Sequence, residues 1–149
     1  MGIRRSDGGW GIDFGKDFLS AVVDTRSALL ALSTAGTADT TTASNALGYL
    51  LESQNTDGGW GAARGQPSEL FYTALVSSAL QQFPQTVSLA TAMSKAKSYL
   101  TSQQQADGSF GDLFETALAY TALVPIVTDA TVLGNAINHL TSAQFQNGS

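Results

Sequence analysis

The 149-residue sequence contains no cysteine, few charged side chains and only three prolines. Without cysteine there are no disulfides, no thiolate or thioester catalysis, and no zinc site that needs sulfur. Charged residues make up 13% of the chain, against a usual share of roughly 25%. Thr, Ser, Ala, Gln and Gly replace them, a composition common in secreted bacterial proteins. We therefore expect an extracellular or cell-surface location, with any export signal outside this sequence.

Basic residues and long apolar runs are also scarce. Lys and Arg total 7 against 12 Asp and Glu, which gives a net charge of -5. A chain without a basic patch is a poor partner for nucleic acid or for an anionic membrane surface. No apolar run approaches the roughly 18 residues of a membrane span. We expect neither nucleic-acid binding nor a membrane span. Residues 1–6 match the loose N-myristoylation pattern, but Ser6 already belongs to a repeated turn.

A motif of an aromatic-Leu pair, a Gln and a glycine-rich turn recurs along the chain. The fullest copies are YLLESQNTDGGWG at residues 49–61 and YLTSQQQADGSFG at residues 99–111. Partial copies are SDGGWG at residues 6–11 and HLTSAQFQNGS at residues 139–149. Repetition at this period indicates an array in which each unit buries its apolar face on its neighbour. We divide the single domain, residues 1–149, into units of about residues 6–56, 57–106 and 107–149.

Between the turns, apolar residues recur at helical spacing, which predicts an all-α fold of six helices in three antiparallel hairpins. The helices that follow the turns, which we name the A helices, are rich in alanine and suit a crowded inner layer. The B helices precede the turns. Pro125 predicts that the third A helix either ends near Leu123 or kinks in its last turn. The predicted A helices are 18–34, 68–82 and 112–127, and the predicted B helices are 42–54, 87–104 and 131–144.

The glycine-rich turn has a structural interpretation. Gly58 can adopt the positive φ that reverses the chain, and Asp57 can accept hydrogen bonds from turn amides. The indole of Trp60 is large enough to lie across the amide of Gln54 and to pin a B helix to the next A helix. We interpret the motif as a staple and expect Ser109→Gly, which restores the repeat, to be better tolerated than Gly58→Val. The matching residues of the later copy are Gln104, Asp107, Gly108 and Phe110.

The spacing from Gln54 to Trp60, and from Gln104 to Phe110, resembles the QW motif of the squalene cyclase and prenyltransferase repeat family. The resemblance covers essentially the whole chain. It implies an α/α toroid with the A helices inside and the B helices outside. A full toroid has more hairpins than the three predicted here. The chain is therefore expected to be part of a longer repeat region. Either its three hairpins stand as an open arc, or two chains join to close the ring as a homodimer.

The catalytic residues of this family are not found in the sequence. Its triterpene cyclases protonate their substrate with an aspartate at the start of an inner helix. The equivalent positions here are Val23, Phe71 and Phe114, and none of them can donate a proton. Its protein prenyltransferases bind zinc through Asp, Cys and His, and this chain has no Cys. The one histidine, His139, occupies a B-helix position held elsewhere by Tyr49 and is expected to be an outer packing residue. We expect no metal and no cofactor.

Acidic and aromatic residues recur at the starts of the A helices. Asp112 and Glu115 have the spacing of a helix capping box, and acids in a first turn favour the helix dipole. If the A helices are the inner ones, these side chains converge on one rim that could hold a sugar, a cation or a peptide. The candidate binding residues are Asp24, Glu69, Phe71, Tyr72, Asp112, Phe114 and Glu115.

The sequence therefore favours a non-catalytic helical repeat module for binding or structural support, from a secreted or cell-surface bacterial protein. Fold-level likeness supports no more than this. The alternative is a fragment of an isoprenoid-processing enzyme, cyclase-like or prenyltransferase-like, whose catalytic acid lies outside this chain. An Asp-x-Asp-Asp stretch in a flanking repeat would favour the enzyme, whereas a signal peptide would favour the surface protein.

Overall fold

A computed structural model of the protein describes residues 3–11, 20–37 and 40–147. The all-α prediction is confirmed, apart from a pair of two-residue antiparallel strands that is too short to give an alternating pattern. The strands are β1 (Ile3–Arg4) and β2 (Trp10–Gly11), and the helices are α1 (Val22–Thr34), α2 (Thr41–Glu52), α3 (Leu70–Leu80), α4 (Val87–Ser102), α5 (Leu113–Leu123) and α6 (Ala130–Asn147).

The six helices form three hairpins in two layers. Helices α1 and α2, α3 and α4, and α5 and α6 pack together as sequential pairs. The A helices α1, α3 and α5 contact one another in that order, and the B helices α2 and α4 form part of the second layer. All three glycine-rich turns connect into the start of an A helix, so they lie at the same end of the array. That end carries the candidate site.

Side-chain caps explain the starts of α2, α4 and α5. The hydroxyls of Thr40 and Thr86 accept hydrogen bonds from the amides three residues later, at the starts of α2 and α4. The expected capping box is present at the start of α5: Asp112 accepts from the Glu115 amide at 2.7 Å, and Glu115 accepts from the Asp112 amide at 3.2 Å. Helix α5 ends at residue 123, so the early stop before Pro125 is confirmed.

The B helices α2 and α4 end as predicted to within two residues, but α6 does not. It runs to residue 147, past Gln144, where the repeat predicts a turn. In the other two copies the equivalent glutamines bind the next B helix. No further B helix lies within the described residues, so Gln144 lacks the partner that holds the other turns. The predicted first A helix also begins late, at Val22; its residues 18–19 lie outside the described part.

The core follows the two layers, and α3 lies at its centre. This helix packs against α1, α4 and α5, and it is buried around most of its surface. Its alanines, Ala74 and Ala79, are fully buried, which fits the expectation that small side chains let the A helices approach closely. Within the described residues, no helix is both long and apolar enough to cross a membrane.

Candidate functional site

The three turns share one backbone conformation. In the second turn the Asn55 amide donates to the Gly59 carbonyl at 2.9 Å, and the Gly58 amide donates back to the Asn55 carbonyl at 3.0 Å. Gly58 has φ +92, and Gly8 and Gly108 have almost the same value. This is a tight turn followed by a left-handed glycine, as in a glycine bulge. In each turn the aspartate accepts from the amide two residues later; the aspartates are Asp7, Asp57 and Asp107.

A threonine in each A helix anchors the turn that precedes it. The Trp60 amide donates to the Thr73 hydroxyl at 2.9 Å, and that hydroxyl donates to the Glu69 carbonyl at 2.8 Å. In all three units the amide of the turn aromatic residue donates to the threonine hydroxyl, although the two residues are 15, 13 and 6 positions apart. The threonine therefore sets a common register for the A helices. The equivalent pairs are Trp10 with Thr25 at 2.8 Å and Phe110 with Thr116 at 3.0 Å.

The indole of Trp60 is fully buried and joins α2 to α3. Its Nε1 donates to the Leu50 carbonyl near the end of α2 at 2.7 Å. The sequence predicted a contact with Gln54, whose amide has another role. Gln54 Nε2 donates to the Gly58 carbonyl at 2.9 Å and to the Ala92 carbonyl of α4 at 2.8 Å. The glutamine therefore connects successive B helices, while the tryptophan connects a B helix to the next A helix.

The left-handed glycines lie directly against the following B helix. A β-carbon at Gly58 would clash with the Lys95 carbonyl of α4. Gly8 faces Asn45 and Gly108 faces Asn135 in the same way. Both the positive φ and the close approach of the two backbones therefore require glycine. Each turn is a packing surface for the next hairpin.

A serine hydroxyl donates to the turn aspartate in every unit, but from two different positions. Ser20 and Ser68, just before α1 and α3, donate to Asp7 and Asp57 at 2.8 and 2.7 Å. In the third unit the equivalent residue is Gly111, which has no hydroxyl, and Ser109 inside the turn donates instead at 2.7 Å. Ser109 replaces a missing bond, so the expectation that Ser109→Gly simply restores the repeat is wrong.

The aromatic position of each B helix lies against the turn at the start of its own unit. The Tyr49 hydroxyl donates to the Ser20 carbonyl, and burial raises the pKa of Tyr49. Burial also raises the pKa of Tyr99, helped by nearby Asp57 and Glu69. The third position is His139, as the sequence indicated. It is half-buried, with Nδ1 3.6 Å from an Asp107 carboxylate oxygen.

The pKa of Asp107 is lowered, and the cause lies within the turn. The hydroxyl and the amide of Ser109 both donate to its carboxylate, and His139 adds a smaller electrostatic effect. Hydrogen bonds to the ionised form stabilise that form. The carboxylate is thus held as an acceptor within the turn, and its chemistry is structural.

In the structure the residues of the predicted rim form one aromatic group, while the acids lie separately at the starts of the A helices. Phe71 and Tyr72 meet edge to face at 5.2 Å between ring centroids, and Phe71 and Phe114 are 6.3 Å apart. We name Phe71, Tyr72 and Phe114 the aromatic platform; Phe114 is 62% exposed. Asp24 lies in the first turn of α1, and Glu69 precedes α3. Asp112 and Glu115 are engaged in their capping box.

A polar groove beside the second turn was not predicted. It has a volume of about 630 Å³ and lies between residues 52–57 and the loop of residues 64–68. Two of its lining residues, Arg64 and Glu52, form a salt bridge at 2.8 Å. The side-chain amide of Asn55 donates to the Ser68 hydroxyl at 2.9 Å. The third unit lacks this loop, because Phe110 and Thr116 are only 6 residues apart. The longer separation of Trp60 and Thr73 is the sequence feature from which the additional loop could have been predicted.

The described residues include no group of three His, Asp or Glu side chains that could bind a metal ion. The turn aspartates are used within their own turns, and the aligned donor positions carry valine or phenylalanine. Among the described residues, the aromatic platform and the polar groove remain as candidate ligand-binding features. No protein-family model matches the sequence, and no curated protein matches it.

Proposed function

We propose that the chain is a non-catalytic α-helical repeat module that supplies a rigid surface for binding or structural support. The observation that carries this proposal is the hydrogen bonding of the turn motif. A single oxygen of Asp57 accepts from both the Gly59 amide and the Ser68 hydroxyl. Both bonds hold the turn and the start of α3 together, so this carboxylate serves as a structural acceptor. The motif that suggests chemistry is used to build the array.

The proposed architecture is an α/α toroid segment with the A helices on the inside. The close contacts among α1, α3 and α5, made through buried alanines, support it. In this arrangement the aromatic platform lies at the mouth of the inner layer. An exposed phenylalanine beside carboxylates suits a ligand with an apolar face and polar edges, such as a sugar, or a cation or peptide.

Binding to oligosaccharide and peptide arrays tests this assignment. The wild-type chain is expected to bind at least one class of array member, and Phe114→Ala is expected to abolish that binding. Val87→Ala is the matched control, because Val87 is 86% exposed at the start of α4, at the opposite end of its hairpin. No binding by wild type, or equal binding by Phe114→Ala, contradicts the platform as the ligand surface.

The second candidate is an isoprenoid-processing enzyme fragment, and the aromatic platform itself favours it. Aromatic faces stabilise carbocations through cation–π attraction, and Phe71 and Phe114 occupy the positions aligned with the family's proton donor. Incubation of the full-length parent protein with squalene and with prenyl diphosphates is expected to yield no product above a protein-free control. Product formation that depends on the protein overturns the non-catalytic assignment.

A further inference from the structure

The three A helices can be compared position by position, because one hydrogen bond gives them a common register. Thr25, Thr73 and Thr116 each hold the amide of the aromatic residue in the preceding turn. Counting from these threonines assigns equivalent positions in α1, α3 and α5. Burial at equivalent positions then shows which faces of the array are covered.

Helix α3 meets α5 through one stripe, which we name the forward face. Its members are Leu70, Ala74, Ser77 and Gln81. Ala74 and Ser77 are fully buried, and Leu70 is 9% exposed. The Gln81 amide donates to the Ala122 carbonyl of α5 at 2.9 Å. The spacing of four, three and four residues places this stripe along one side of the helix.

The same stripe on α5 is open. Its members are Leu113, Ala117, Tyr120 and Val124. Leu113 is 43% exposed and Val124 is 45% exposed, while Ala117 is exposed and Tyr120 is half-buried. The described part of the chain has five large exposed apolar side chains. Four of them lie in α5, directly after α5 or in α6: Leu113, Phe114, Val124 and Ile137. A set of apolar side chains concentrated in this way marks an interaction surface.

The opposite side of each A helix, the rear face, is made of small residues three and six positions after the threonine. In α3 these are Val76 and Ala79, fully buried against the preceding unit, and in α5 they are the fully buried Ala119 and Ala122. In α1 the equivalent residues are Ala28, which is half-buried, and Ala31, which is exposed. The forward face is therefore open on α5 and the rear face is open on α1.

We infer that a second copy of this chain docks head to tail, with the forward face of α5 against the rear face of α1 on the other copy. This docking continues the contacts that the A helices already make within one chain. In the α3–α5 interface a forward face meets a rear face. On α1 the forward-face residues Val22 and Leu29 lie in one buried cluster with the rear-face residue Val76 of α3. The two open faces are the same pair. A symmetric contact between two α5 helices would instead oppose the larger side chains Tyr120 and Val124 to one another.

Sedimentation equilibrium at increasing protein concentration tests the docking. The wild-type chain is expected to reach a mass of at least two copies. Ala117→Arg and Ala31→Arg are each expected to weaken association by at least about tenfold, because an unpaired charge is costly in a packed interface. Ala90→Arg, at an exposed position on α4 outside both faces, is the control and should associate like wild type. Wild type that stays monomeric, or arginine variants that associate normally, overturns the inference.

Cysteine cross-linking then tests the orientation, since the chain has no cysteine of its own. Under oxidising conditions, a mixture of Val124→Cys and Ala31→Cys chains should form the mixed disulfide-linked dimer, because these positions are equivalent to Gln81 and Ala122, which contact each other. Neither variant alone should cross-link to a comparable extent. Efficient self-linking of Val124→Cys shows a symmetric contact and overturns the head-to-tail arrangement. Circular dichroism of each variant, compared with wild type, shows that the fold is retained.

Discussion

The side-chain amide of Gln54, after the end of α2, lies 2.8 Å from the Ala92 carbonyl oxygen near the start of α4. Fifty residues later, Gln104 makes the equivalent bond to Val132 of α6 at 2.9 Å. Each glutamine also donates to the carbonyl of its own turn glycine. One side chain therefore holds a turn closed and joins two successive hairpins. The glutamine of the repeat is a connector between units.

Replacing this connector should loosen the array. Gln54→Leu removes two side-chain hydrogen bonds, and we expect it to lower the free energy of unfolding by about 1–2 kcal/mol. Gln103→Leu is the matched control, because Gln103 is exposed and bonds only to the Ser102 hydroxyl. Urea denaturation followed by circular dichroism measures both values. Equal stability of the two variants would show that Gln54 does not connect the hairpins.

The serine that donates to the turn aspartate can stand before the A helix, as Ser68 does, or within the turn, as Ser109 does. We expect that moving it from one position to the other requires both substitutions together. Gly59→Ser alone places its β-carbon against the Ser68 side chain, so we expect it to destabilise the protein. The double variant Gly59→Ser/Ser68→Gly rebuilds the arrangement of the third turn and should recover most of the loss. Ser109→Gly should cost about 1 kcal/mol, since Asp107 loses a donor. Additive effects of Gly59→Ser and Ser68→Gly in denaturant unfolding would refute the compensation.

The buried indole should contribute more than the other turn tryptophan. Trp60→Ala is expected to cost about 3–5 kcal/mol, because it opens a large cavity. Trp60→Phe, which copies Phe110 but loses the bond to Leu50, should cost less. Trp10 is only half-buried, so Trp10→Ala should be milder than Trp60→Ala. Denaturant unfolding that ranks Trp10→Ala as the more damaging variant contradicts this assignment.

Ionisation of Tyr49 should destabilise the fold in alkali. Burial raises its pKa in the folded protein above the ordinary value of 10.0. The neutral form is therefore favoured by folding. This stabilisation is complete below pH 10 and is lost as the pH rises towards the folded pKa. Tyr49→Phe cannot ionise and should lose less stability than wild type between neutral pH and the alkaline range. Parallel stability profiles for the two proteins would exclude the effect.

The helical hairpins were predictable because their signals are local. Apolar periodicity gave the helices, Pro125 gave the early end of α5, and the spacing of Asp112 and Glu115 gave the capping box. The glycine at Gly58 was also recognised, since few other residues adopt a positive φ. These features depend on residues close together in the chain.

The connections between units were not predictable from the same signals. The partner of Gln54 is a carbonyl 38 residues away, and no local pattern marks which carbonyl that is. The threonine bond forms across loops of unequal length, and the serine hydroxyl comes from two different positions. For the candidate site, the acids and aromatics could be named in advance. The contact between Phe71 and Phe114, and the polar groove, required the packed helices.

The most direct measurement of the central claim, that the turn motif is a structural staple, is native-state hydrogen exchange. The amides of Trp10, Trp60 and Phe110 donate to threonine hydroxyls in the A helices. Amides fixed by such bonds exchange when the surrounding unit unfolds. We predict that the Trp60 and Phe110 amides exchange as slowly as the core amides of α3. Exchange as fast as that of the exposed turn residue Thr56 would contradict the account.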